Sequence, residues 1–135
     1  MAIAWNDSMS TGVTEIDNQH KELIGMLNSL SDTMRSGKGK DEIEKILLFA
    51  GDYAQKHFEC EEQYFVDYDC PAGPENKAGH DYFLTRFTEL MGDFHQQGGS
   101  FALVMKIYTE LSNWLIQHIL GVDTKLRTVV EARKR

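Results

Sequence analysis

Apolar positions recur along this chain at three- and four-residue intervals over long stretches, and strand-like alternation is hard to find anywhere. Over residues 15–36 one stripe carries Ile16, His20, Leu23, Ile24, Leu27, Leu30 and Met34, with Thr14 or Asp17 as candidate cap. Over 41–69 the stripe runs Ile43, Ile46, Leu47, Ala50, Tyr53, Ala54, His57, Glu61, Tyr64, Phe65 and Tyr68, with Asp41 near its start. A third stretch, 75–96, follows Pro74 and aligns Asn76, His80, Phe83, Leu84, Phe87, Leu90, Met91 and Phe94. A fourth, 100–120, has Ser100 as its cap and Phe101, Val104, Ile107, Tyr108, Leu111, Trp114, Leu115 and His118 in register. A short fifth, 122–132, carries Leu126, Val129 and Val130. The two prolines, Pro71 and Pro74, and the glycines Gly37, Gly39, Gly73, Gly98, Gly99 and Gly121 fall between these stretches. Four amphipathic helices with short connections predict an all-α fold, an antiparallel up-down-up-down four-helix bundle with a short C-terminal helix. Residues 1–14 read as a non-helical arm that packs through Trp5 and Val13. Residues 131–135 read as a charged tail, either a frayed end or the start of a linker.

Length and charge narrow the picture. The 135 residues predict one domain, 1–135. A formal net charge of -7 argues against nucleic acid or an anionic membrane surface as partner, since both need a basic face. No apolar run approaches a membrane span. Met1–Trp5 lacks the basic and apolar segments of a secretion signal, so a cytoplasmic location is expected. Cys60 and Cys70 form no CxxC motif and read as two reduced thiols.

The candidate chemistry lies in the histidines. Of the five, His20, His57, His80 and His118 fall on apolar stripes of four different predicted helices. A lone buried histidine is usually a core residue with a hydrogen-bond partner. Four on one bundle, with carboxylates beside them, call for a common partner, and a metal answers all of them at once. His57 and Glu61 are i and i+4, one turn apart on one helix face. His118 and Asp123 are i and i+5, about 140° apart on a continuous α-helix. They face one site only if the helix ends between them, and Gly121 is placed for that ending. Asp123 as the cap of the last helix is the competing role. His95, flanked by polar residues at a helix end, reads as solvated. Imidazole and carboxylate without thiolate suit iron, manganese or zinc, and two carboxylates able to bridge favour a two-metal centre. Cys60 is rotated about 100° from Glu61 and is not assigned as a ligand.

An ordered series of residues carries a resemblance across nearly the whole chain. It runs through Trp5-Asn6-Asp7, Gly12-Val13, Ile16-Asp17-Asn18-Gln19-His20, His57-x-x-x-Glu61 and Lys77-Ala78-Gly79-His80-Asp81. It ends at Trp114-Leu115-x-x-His118-Ile119-x-x-x-Asp123. The series resembles the bacterial hemerythrin family. The resemblance implies a non-heme di-iron centre with two irons bridged by Glu61, Asp123 and an oxo or hydroxo group. His20 and His57 would serve the iron that binds dioxygen, and His80 and His118 the other. The family pattern places a further histidine where this chain has Asn76, and a glutamate where it has Gly79. An amide oxygen is a weak neutral donor, so water is the expected occupant there.

That departure shapes the functional expectation. Two irons with exchangeable positions weaken the division of labour that reversible carriage needs. The resemblance and Asn76 together lead to a dioxygen-binding, non-enzymatic domain whose dioxygen complex decays fast. It would act as an oxygen or redox sensor for a fused or partner signalling protein. A free-standing oxygen carrier or store is the alternative. A di-iron oxidase or a peroxide or NO scavenger stands behind both, because no second carboxylate-rich ExxH helix is visible.

Overall fold

The structure, a computed structural model, describes residues 3–134. Met1, Ala2 and Arg135, the ends of the predicted arm and tail, lie outside the described residues. The elements are α1 (Thr14–Arg35), α2 (Lys40–Asp67), α3 (Gly73–Gln97), α4 (Phe101–His118), a π-helical turn (Ile119–Asp123) and α5 (Lys125–Arg133). Helix α1 packs against α2 and α4, and α3 packs against the same two, so the four long helices close an antiparallel square.

Local chemistry explains where these helices stop. Helix α2 ends in a Schellman motif. Asp69 takes the left-handed conformation (φ 50°), its N–H donates to Val66 O, and Cys70 N–H donates to Phe65 O at 2.9 Å. Gly98, at φ 83°, closes α3. Pro74 sits in the first turn of α3, where its missing N–H costs nothing. Ser100 caps α4 as expected, its Oγ accepting from Leu103 N–H at 3.2 Å.

Three expectations about the ends are corrected. Neither Thr14 nor Asp17 caps α1; Val13 holds the cap position without a side-chain bond. Asp17 instead faces back toward the arm and accepts from Thr11 N–H, Thr11 Oγ1 and Ser10 Oγ at 2.8–2.9 Å. The arm is not wholly irregular, since Asp7–Met9 form a 3-10 turn. The tail is not frayed up to Arg133, where α5 ends. There Arg133 donates to Asp67 O at 3.0 Å and its guanidinium lies 4.8 Å over the Tyr68 ring.

The predicted stripes supply the core; Phe101 is left exposed, and Phe58, Leu103 and Ile119 are buried beside them. Phe101, the first residue of α4, is 61% exposed. Phe58, beside His57, is buried. The apolar interior comes in two parts. The larger fills the bundle with Leu23, Ala54, Phe58, Phe83 and Leu115 among its members. The smaller, Val13, Ile16, Phe65, Cys70, Leu126 and Val130, seals the end under α5. Between these two parts, one turn from each, lies a polar layer.

Candidate metal centre

The polar layer holds His20, His57, Glu61, Asn76, His80, His118 and Asp123, all of them buried. Helical spacing puts His57 with Glu61, and Asn76 with His80, on single inward faces of α2 and α3. His20 comes from α1 and His118 from the last turn of α4.

Asp123 reaches the site by a different route from the predicted glycine stop. The helix does not end at Gly121. It widens into the π-turn, whose Thr124 N–H donates to Ile119 O at 3.1 Å, an i→i+5 bond. A π-turn carries i and i+5 onto nearly one face. Leu120 O, deprived of its α-helical donor, accepts from Thr124 Oγ1 at 2.8 Å. Asp123 is not the cap of α5; Thr124 is.

The two carboxylates divide their oxygens between two groups of imidazoles. Glu61 Oε2 lies 2.9 Å from His20 Nε2 and 3.2 Å from His57 Nε2. Glu61 Oε1 lies 3.0 Å from His80 Nε2. Asp123 Oδ2 lies 3.2 Å from His20 Nε2, and its Oδ1 lies 3.0 Å from His118 Nε2. Asn76 Nδ2 donates to Glu61 Oε1 at 2.8 Å and to Asp123 Oδ1 at 2.9 Å. Two groups of candidate donor atoms result: Glu61, His80, His118 and Asp123, and His20, His57 and Glu61. Within each, the atoms lie within 4.8 Å of one another, close to what two metal–ligand bonds of about 2.1 Å span.

The electrostatics follow from this crowding. Burial alone would push Glu61 up, but the imidazoles of His20, His57 and His80 outweigh it and hold the carboxyl well below its ordinary range. Burial likewise works against a charge on His20, yet Asp123 and Glu61 push it up to about 9. His80 is raised against burial in the same way, chiefly by Glu61. Even so, polar atoms are left over. His118 Nε2, His20 Nδ1 and Asn76 Oδ1 are buried without a hydrogen-bond partner. His118 Nε2 sits beside Asp123 Oδ1 without bonding to it, as a nitrogen whose lone pair serves a cation does. The donor set and its orphaned atoms therefore fit metal ions.

A family model described as "Hemerythrin HHE cation binding domain" matches residues 11–129. The chain belongs to the hemerythrin family. It is 33% identical over 121 residues to the bacteriohemerythrin of Pseudomonas aeruginosa (strain PAO1), covering 90% of this chain and 76% of that one. To the bacteriohemerythrin of Stenotrophomonas maltophilia it is 30% identical over 130 residues, covering 96% and 82%. A crystal structure of wild-type hemerythrin superposes with a TM-score of 0.82 at 27% identity, over 96% of this chain and 98% of the other. Hemerythrin domains bind a di-iron centre, and the two buried clusters suit one.

In this hemerythrin domain, several residues outside the predicted ligand set position the imidazoles. His57 Nδ1 donates to Gln19 Oε1 at 2.6 Å and His80 Nδ1 to Glu62 Oε2 at 2.7 Å. Each bond fixes the tautomer that leaves Nε2 free to face inward. Gln19 and Glu62 each neighbour a predicted ligand in sequence but serve a histidine on another helix, so spacing along one helix does not single them out. Phe58 stacks on His80 at 4.0 Å and Trp114 on His118 at 4.5 Å. Gly79 is needed where it is: a Cβ there would lie 2.5 Å from His118 Cε1. His95 stays outside the site and pairs with Glu44 at 2.6 Å. Trp5 packs on the bundle under the Lys21 ammonium, and Cys60 faces Gln19 and Glu15, away from the cluster.

Proposed function

We propose that Glu61 and Asp123 bridge two irons, one held further by His20 and His57, the other by His80 and His118, and that the domain binds dioxygen. The observation that carries this reading is the division of each carboxylate's oxygens between the two groups of imidazoles. The bound metal pair supplies reversible electron transfer to dioxygen. The chain's own residues orient the donors, through Gln19 and Glu62, and exclude water, through the apolar layers above and below.

Asn76 sets the two halves of the site apart. An imidazole would offer a strong donor there; an amide offers a neutral oxygen only after a half-turn of its side chain. Such a centre suits a sensor of oxygen or redox state better than a store. A second observation supports sensing. Asp123 is two residues from α5, and the far end of α5 is tied to the end of α2 by Arg133. A shift at Asp123 thus has a short path to the surface and to a fused or partner output domain. Carriage of dioxygen is the second reading, favoured by the similarity to bacteriohemerythrins. We read the domain as a binding protein and not an enzyme, in a reducing, cytoplasmic setting that suits the free thiols Cys60 and Cys70.

The test is stopped-flow absorbance after the anaerobically reduced, iron-loaded protein is mixed with dioxygen. Rapid uptake of one dioxygen per chain followed by fast decay supports sensing. A complex that lasts for hours and releases dioxygen under argon supports carriage. No uptake contradicts both.

A further inference from the structure

The candidate donors are sealed from solvent on one side by the shortest of the α-helices. His20 lies in the second turn of α1, His80 in the second turn of α3, and His118 is the last residue of α4. The polar layer is therefore close to the end of the bundle over which α5 folds. On that side it is covered by the smaller apolar part, to which α5 contributes Leu126 and Val130. On the other side the larger apolar part fills the rest of the bundle. The short way along the bundle axis from solvent to the layer passes under α5.

Helix α5 is held there by little. It has nine residues, too few for a helix to persist unsupported. Leu126 and Val130, 0% and 1% exposed, anchor it from one face, four residues apart. The element it adjoins most closely is the π-turn, not a long helix. Its rim is fastened by three cations to three different elements. Lys125 donates to Glu75 of α3 at 2.7 Å, Arg127 to Asp7 O of the arm at 3.3 Å, and Arg133 to Asp67 O of α2 at 3.0 Å. All three bonds are exposed to solvent, where such contacts are weak.

The segment that joins α5 to α4 is the π-turn, with Gly121 in open space and Asp123 buried. Asp123 lies two residues before α5, so the helix cannot lift without drawing on that carboxylate. The other candidate donors sit on the four long helices and stay behind.

We propose that α5 is the door of the metal layer: it swings on the π-turn to admit and release metal ions, and Asp123, carried on the hinge, is the last donor to close. That the ions are an iron pair that binds dioxygen rests on the functional reading above; that α5 opens as a unit does not.

Two measurements on the full chain test this: hydrogen exchange followed by mass spectrometry, and release of iron(II) or zinc(II) to an excess of chelator. In the metal-free chain residues 119–133 are expected to exchange together, about tenfold or more faster than the four long helices, and metal loading to slow them. Arg133→Gln should speed metal release by about threefold, the scale of one exposed contact. Leu126→Ala, which cuts an anchor of α5, should speed it by about tenfold or more. Leu30→Ala removes the same side chain from the larger apolar part, about 15 Å along α1 from His20, and should leave release close to wild type. Leu126→Val and Leu30→Val serve if the alanine variants do not fold. Exchange of 119–133 no faster than that of the long helices overturns the proposal. So does release accelerated equally by the Leu126 and Leu30 variants, which would mean that ions leave when the whole bundle opens. Zinc release governed by α5 in a chain that takes up no dioxygen when iron-loaded supports the door and contradicts the functional reading instead.

Discussion

His118 and Asp123 face the same buried site from one unbroken helical path, with His118 Nε2 3.0 Å from Asp123 Oδ1. The π-turn between them makes this possible, because five residues of α-helix would leave them about 140° apart. Gly121 lies in that turn, exposed, with open space where a Cβ would be. Inserting one alanine after Gly121 is expected to carry Asp123 about 100° further round the helix and out of the layer. Such a variant should keep its helical circular dichroism and bind fewer than two irons. Two irons bound at wild-type affinity would show that the register set by the π-turn is dispensable.

Asn76→His adds a third imidazole on the His80 and His118 side. The new ring replaces the amide that joins Glu61 to Asp123. The second iron should be held more tightly, and the dioxygen complex should decay about tenfold more slowly, the scale of one well-placed interaction at a metal site. Iron competition with a chelator and stopped-flow decay traces measure the two effects. Unchanged decay would mean that Asn76 does not set the lifetime.

Gln19→Leu and Glu62→Leu remove the acceptors that hold His57 and His80 in their tautomers. Each should lower iron affinity by about 10–100-fold with little change in helix content. Chelator titration beside circular dichroism separates this from unfolding. Wild-type affinity in both variants would remove Gln19 and Glu62 from the account of the site.

Without iron, stability should depend on pH in a defined direction. His20 rises to about 9 in the folded chain from an ordinary 6.5, because Asp123 and Glu61 outweigh the burial that opposes its charge. Its contribution is full below pH 6.5 and is lost as pH rises through 9. Glu61, held below its ordinary 4.5, contributes above that pH and fades as pH falls through its folded value. Thermal melting of the iron-free protein should therefore fall between pH 6.5 and 9, and iron uptake near neutral pH should release protons. A melting temperature that stays flat across that window would contradict the pairing of His20 with the two carboxylates.

The parts legible in the sequence are those that one helix's period decides. The stripe from Ile16 to Met34 lies inside throughout, and His57 with Glu61 faces inward because four residues make about one turn. What was not legible depends on how helices are rotated against each other. Gln19 meets His57 across 38 residues of chain, and Glu62 meets His80 across 18. Phe58 is buried because the inward face of α2 is wide enough to take two adjacent residues, His57 and Phe58. Asp17 reads as a cap by residue type, yet the folded arm offers it Thr11 and Ser10 instead. The π-turn has no pattern in the sequence distinct from a glycine stop; only the demand of Asp123 for the buried layer distinguishes them.

Iron content with Mössbauer spectra of the purified, iron-reconstituted chain tests the bridging arrangement most directly. Two irons per chain, magnetically coupled and inequivalent, are the predicted result, with both lost together in Glu61→Ala. One iron, none, or two uncoupled irons that survive Glu61→Ala would contradict it.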